Sequence, residues 1–295
     1  MDWEVRLITL YLKISEYYRT DIYVCCERFS NGGYKRCTDE EILTVYLFGI
    51  LSNFKNAKAI HKYALSHLKH YFPGLPGYSG FIHRVNRMSE AFKVLSNSIQ
   101  SERTKTEEEE LFLVDSFPIA LAKGQHAYTA RVAKEVASTG YNATKKMYFY
   151  GVKAHVVARR QEGTLPEIEL LFIDEASKHD GPVFDQFRPM LHDCTVVADK
   201  AYKRPDEHII EQKQNLKVMT PPMKAKGQKL TKEQAKIAKA LAKIRQPIET
   251  LFGWIQRKTS IQDASLVRSV CGLTTHVFSK LSAVLLAKSE PCFDF

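Results

Sequence analysis

Two apolar runs constrain this chain more than any other feature: LFLVDSFP at residues 111–118 and CTVVAD at 194–199. A short unbroken run of large apolar residues reads as a strand buried on both faces. Each run stops at an acid, Asp115 and Asp199. A carboxylate is costly to desolvate without a partner, so each acid at such a position needs a reason. Two neighbouring parallel strands would bring both carboxylates out at one carboxyl edge of a sheet, where open α/β sheets build their sites.

The chain around these runs reads as a mixed α/β sheet. LFLVD is its first strand. KKMYFYGVKAHVVARR (145–160) is the second, with Tyr148, Tyr150, Val152, Ala154 and Val156 on an apolar face and Lys153 and His155 on the other. EIELLFID (167–174) is the third, DGPVFDQFRPMLHD (180–193) a helix and CTVVAD the fourth strand. RPDEHIIEQK (204–213) is a helix and LKVMT (216–220) a fifth strand, and a long basic helix opens near Thr231. Short turns make a meander of the first three strands, and crossovers bring the fourth and fifth in parallel to the first. There is no internal repeat.

Residues 1 to about 100 read as a small helical domain. TDEEILTVYLFGIL opens with Thr38 and Glu41 at capping-box spacing. AKAIHKYALSHLKHYF is a second helix, and PGLPGYSG breaks the chain before FIHRVNRMSEAFKVL resumes as a third. A helix bearing His83, Arg84 and Arg87 after a turn fits a DNA-reading bundle and fits any small helical domain equally. His67 and His70, with no third ligand nearby, read as surface residues. The charged stretch SERTKTEEEE (101–110) reads as a linker, which leaves 111–295 as the second domain.

Charge narrows the partners. The chain of 295 residues carries a formal net charge of +10. From Lys213 to Arg245 there are ten basic residues against one acid, Glu233. That density is the footprint of a polyanion, and double-stranded DNA is the partner expected. Lys232, Lys236, Lys239 and Lys243 form one helical stripe opposite Ile237, Leu241 and Ile244, as in a helix lying on the sheet with its lysines toward phosphates. No run of apolar residues approaches the ~20 that a membrane span requires. The N-terminus lacks a signal peptide's layout, so a cytoplasmic protein is expected. The six cysteines form no C-x-x-C pair, which argues against a zinc ribbon or a disulfide framework.

A third acid, Glu249, lies in RQPIETLFGWIQRK beside the apolar stripe Ile248, Leu251, Phe252 and Ile255. Two strand-end aspartates and a helical glutamate are an all-oxygen donor set of the kind magnesium takes. Two such ions can clamp the attacking and leaving oxygens of a phosphoryl displacement. Asp174, Asp180, Asp185 and Asp193 are decoys: the first ends a strand two places from the first strand, and the others read as cap and surface residues. Trp254 is rotated away from Glu249 and reads as core.

VDSFPI, GYNATKKMYFYGVKAHVV, SKHDGPVF, VVADKAY and RQPIETLFGWIQRK together resemble the catalytic domain of bacterial insertion-sequence transposases of the DDE type. They are most similar to the group of insertion-sequence family nine-eighty-two. The resemblance covers roughly residues 110 to 285 and implies a ribonuclease H-like α/β fold behind a small all-α domain. It implies Asp115, Asp199 and Glu249 as a metal-binding triad for Mg2+, with Mn2+ able to substitute. It also implies a DNA transposase that cuts element ends and joins the freed 3′-hydroxyl to target DNA, working as at least a dimer on DNA. Of the tyrosine, arginine, glutamate, lysine signature found in related transposases, Arg245 and Glu249 match, while Ala242 and Gln256 stand at the other two positions. Phosphate contacts are expected from Lys153, His155, Lys200, Lys232, Lys236, Lys239, Lys243, Arg245, Arg257 and Lys258, and from Arg84 and Arg87 in the helical domain. A metal-dependent nuclease without strand transfer and a non-catalytic DNA-binding descendant are the rival readings.

Overall fold

A computed structural model describes residues 2–27, 36–102, 110–142, 145–205, 212–224 and 229–293. Most of the expected linker and most of the helix expected over 204–213 lie outside these residues. By their contacts the residues form two units. The strands through Trp254 group with Gln262–Leu266, and the N-terminal helices group with Ile255–Ile261 and the chain from Val267 onward.

The helical unit contains α1 (Trp3–Tyr17), α2 (Tyr23–Cys26), α3 (Asp39–Leu51), α4 (Ala57–His67), α5 (Tyr78–Arg87) and α6 (Ser89–Ser101). The capping box at the start of α3 is formed, with the Thr38 hydroxyl accepting the Glu41 N–H at 3.1 Å and the Glu41 carboxylate accepting the Thr38 N–H. The single helix expected over 81–95 is two, because the backbone turns out of helical geometry at Met88. A last helix, α9 (Val270–Ser289), packs along α6, and its Ser282 hydroxyl donates to the Phe92 carbonyl at 3.2 Å. By length and mean hydropathy, 1.5, α9 is the one described helix that could cross a membrane, although it is not an unbroken apolar run. Thr275, Ser279, Lys280 and Ser282 interrupt it as an apolar run, and two-thirds of its apolar window is buried against protein, as for a core helix.

The second unit is built on a six-stranded mixed sheet: β1 (Glu110–Lys123), β2 (Ser138–Asn142), β3 (Met147–Arg159), β4 (Glu167–Glu175), β5 (Cys194–Ala198) and β6 (Leu216–Met219). β1 pairs antiparallel with β3, and β3 antiparallel with β4; β5 runs parallel to both β1 and β6. Meander and crossovers are as the sequence implies. The expected set of five strands lacked β2, which shares the outer edge of β3 with β4: β2 takes Met147–Gly151 and β4 takes Val152–Arg159. Gly140 of β2 lies where an added Cβ would meet the Ala176 carbonyl oxygen at 2.4 Å, so the strand docks closely. One face of the sheet packs on α7 (Asp180–Phe187) through Phe112, Val114, Val196, Phe184 and Phe187.

β1 is longer than the run LFLVD, and the cause is local. Its pairing with β5 ends at Val114–Ala198, but its pairing with β3 continues to Lys123. Past Asp115 the side vacated by β5 is an open edge, where a proline is tolerated. The Ala120 N–H points to that side, donating to the Gln262 carbonyl at 2.9 Å. By strand alternation Pro118, which has no N–H to leave unpaired, shares that direction.

Candidate active site

The register places Asp115 and Asp199 side by side. Val114–Ala198 is the last parallel pair, and the two aspartates are the next residue on each strand. At a strand spacing of ~4.8 Å this is close quarters for two carboxylates. Each holds its place through the backbone N–H released as the ladder ends: Asp115 Oδ1 accepts from Ser116 N–H at 2.8 Å, and Asp199 Oδ1 accepts from Lys200 N–H at 2.8 Å. Asp115 is therefore not the end of its strand, as the apolar run implied. It lies within the strand, at the point where β1 outruns β5.

The third acid arrives on α8 (Lys232–Thr259), a helix of 28 residues. Leu241, Ile248, Leu251, Phe252 and Ile255 are its buried stripe. Phe252 meets Phe117 of β1 edge to face, with ring centroids 4.8 Å apart. Phe117 is two residues beyond Asp115 and so on the same face of β1, and Phe252 is one turn beyond Glu249. That contact seats the Glu249 turn on the aspartates' side of the sheet. Pro247 does not begin a new helix: α8 runs through it, at the loss of one backbone hydrogen bond.

Arg245 ties the acids together. Its guanidinium lies 3.5 Å from Asp199 Oδ1 and donates to Glu249 Oε1 at 3.0 Å, one turn along the helix. Burial pushes the Asp115 carboxyl up to about 6, against the lowering effect of Arg245 and of the Ser116 N–H, and Glu249 and Asp199 add to the rise. The three acids thus feel one another. Among the described residues no three acid, histidine or cysteine side chains ring a single ion position as they stand. Arg245 supplies the positive charge between Asp199 and Glu249.

The expected phosphate contacts fall into two groups. Lys200, Lys232, Lys236, Lys239, Lys243 and Arg257 are exposed, and Lys258 is half-buried. The Arg257 and Lys258 carbonyls accept from Lys55 Nζ at 2.8 and 2.6 Å within the helical unit. The start of α8 does not lie on the sheet as expected: Ile237 is 53% exposed and Ile244 half-buried, so the apolar stripe begins at Leu241 and the lysine-bearing turns project.

Other expected contacts are committed internally. Lys153 pairs with Asp180 at 2.8 Å and donates to the Lys178 carbonyl. His155 is fully buried, with Nδ1 3.4 Å from the Tyr202 hydroxyl, and desolvation pulls it down to about 4, so it is neutral. It is not placed to meet a phosphate, because strand alternation turns it into the α7 core rather than to solvent. In the helical unit Arg84 and Arg87 also depart from their expected role. Both neutralise buried Asp39, at 2.6 and 3.3 Å, and donate to the Cys37 and Cys26 carbonyls.

Of the decoys, Asp174 pairs with Lys178 at 2.6 Å, Asp180 with Lys153, Asp185 with Arg188 and Arg204, and Asp193 accepts from Asn215. Trp254 is half-buried, not core. Sequence reading passed over Tyr202. This residue closes the short helical turn begun by Asp199, is fully buried, and reaches Ser116 and His155. Its spacing of three from Asp199 in ADKAY was the available signal.

The family model of the transposase DDE domain matches residues 106–286. The chain belongs to that family. No curated protein and no solved structure gives a match. The DDE domain is ribonuclease H-like, with a curled mixed sheet and flanking helices. Its family acts on DNA with divalent metal ions, and the donor set fits: Asp115, Asp199 and Glu249 offer only carboxylate oxygens, the ligands of hard divalent cations. The placement of the aspartates beyond the β1–β5 ladder, at the carboxyl edge of both strands, is where such a domain's site is expected.

Proposed function

We propose that this chain is a DNA transposase of the insertion-sequence type, related to family nine-eighty-two, that cleaves element ends and transfers the freed 3′-hydroxyl to target DNA. The observation that carries the reading is the adjacency of Asp115 and Asp199 one step past the parallel ladder, with Glu249 joined to Asp199 through Arg245. Magnesium or manganese is the cation we assign to Asp115, Asp199 and Glu249. When bound it would offset phosphate charge and favour deprotonation of the attacking hydroxyl.

The chain's own residues hold and orient the DNA. The exposed lysines of α8, with Lys200 and Arg257, grip phosphates without regard to sequence. With a cation held by the carboxylates, Arg245 would be available to pair with the phosphate at the scissile bond. In the first step water attacks that phosphorus, and the P–O bond to the 3′ oxygen breaks, leaving a 3′-hydroxyl and a 5′-phosphate. In the second step the 3′-hydroxyl attacks a target phosphodiester, and the displaced target strand leaves with its own 3′-hydroxyl. Catalysis is positioning and charge neutralisation, with no covalent link to the protein. Strand transfer at two ends calls for at least a dimer on DNA.

The test is incubation of labelled element ends with the protein, magnesium and a target duplex, beside the Asp199→Asn variant. Joined products from the wild type alone support the reading. Cleavage without joining identifies a nuclease, and binding without cleavage in both proteins identifies a DNA-binding descendant.

A further inference from the structure

Three tyrosines stand in the open beside the β2–β3 hairpin. Tyr141 and Tyr148 face each other across the strand pair with ring centroids 5.1 Å apart, and Tyr128, from the helical turn after β1, lies 5.8 Å from Tyr148. They are 54%, 49% and 67% exposed, respectively for 141, 148 and 128. Tyr148 was expected on an apolar core face, and the structure leaves it in solvent. Clustered exposed rings mark interaction sites. The backbone fixes this cluster: Gly140 packs against Ala176, and the Thr139 hydroxyl donates to the Ala127 carbonyl at 3.1 Å, tying β2 to the turn that carries Tyr128.

Charge says what fits there. Arg131, Lys134, Lys145 and Lys146 are exposed in the same stretch of chain, against one acid, Glu135. A ligand that is anionic and offers flat aromatic faces is nucleic acid with unpaired bases. Bases within a duplex show only their edges in the grooves, whereas unpaired bases stack on aromatic side chains. Position agrees. Asp115 is opposite Val156, and alternate residues of β3 from Val156 to Tyr148 share one face, so Tyr148 is on the face of the sheet that carries Asp115. Eight residues of strand separate Tyr148 from Val156, about 26 Å.

We propose that Tyr128, Tyr141 and Tyr148 form a stacking platform for unpaired bases of a DNA single strand, with Arg131, Lys134, Lys145 and Lys146 flanking its phosphates. The proposal rests on the DNA-processing reading and is independent of the chemistry at Asp115. The test is equilibrium binding of the full chain, without divalent ions, to an oligothymidylate of about 20 nucleotides and to a duplex of equal length. Replacing all three tyrosines by alanine weakens single-strand binding tenfold or more and leaves duplex binding within about twofold. The slope of log K against log salt is unchanged, because no phosphate contact is lost. The triple Tyr→Phe variant retains wild-type affinity, since the ring and not the hydroxyl binds. Unchanged single-strand binding in the alanine variant, equal loss on both probes, or failure of the phenylalanine variant would each overturn the platform. Wild-type protein that binds the single strand through these rings but neither cuts nor joins DNA leaves the platform standing and removes the transposase reading.

Discussion

Asp115 and Asp199 solve the same local problem in the same way. Each follows the last paired residue of a parallel ladder, and each turns one carboxylate oxygen onto the next backbone N–H, at 2.8 Å in both cases. Each N–H that the ladder leaves unpaired takes an acceptor from the side chain just before it, and an aspartate supplies one at both positions. The other oxygen of each carboxylate is left to the site.

Catalysis should therefore fail when any one acid is removed while DNA binding persists. Asp115→Ala, Asp199→Ala and Glu249→Ala are each expected to lower cleavage by ~10²–10³ or more, the scale of losing one preorganised electrostatic contact. Binding to duplex should stay equal or tighten, because an anion near phosphate is removed. Gel-shift and cleavage assays on the three variants check this; parallel loss of both properties would assign the acids to folding instead.

The raised Asp115 carboxyl makes a signed prediction for the metal-free protein. Its folded value of about 6 exceeds the ordinary carboxyl value of 3.8, so between these limits the native state binds more protons than the unfolded chain. Stability should fall as pH rises from about 4 to 6, by up to ~3 kcal/mol for this group. Denaturant melts across that window should slope downward for the wild type. Asp115→Asn should lie flatter and be more stable at neutral pH.

Arg245 stands where a cation is wanted and should compete with one. Arg245→Ala is expected to tighten manganese binding, measured by calorimetry without DNA, by roughly two- to tenfold, as a half-exposed ion pair contributes up to ~1 kcal/mol. Arg245→Lys should fall between the two. Equal affinities in all three proteins would show that the guanidinium does not occupy the ion's place.

The projecting turns of α8 give a salt-dependence test. Changing Lys232, Lys236, Lys239 and Lys243 together to glutamine should weaken binding to element ends and to random duplex by similar factors. The slope of log K against log salt should flatten by ~0.9 per lost contact. An unchanged slope would make the stripe a solvated face. A loss confined to element ends would make α8 the reader of sequence.

Much of this was legible in the residues. The unbroken runs LFLV and TVVA specify buried strands because only a strand covered on both faces tolerates them, and strand order follows from the length of the connections. The pair Asp115 and Asp199 was visible for the same reason, since an acid interrupts each run. What stayed hidden depended on partners distant in sequence. Nothing near LFLVDSFP tells that β5 ends at Ala198 while β3 continues beside β1 to Lys123, so Asp115 reads as a strand end when it is an interior residue beside a vacated edge. His155, Arg84 and Arg87 read as phosphate ligands because a basic side chain looks alike in sequence whether it meets solvent, a core or a buried carboxylate. Only the packing of α7 over His155 and of Asp39 between the two arginines decides, because desolvation and charge pairing are properties of the surroundings and not of the residue.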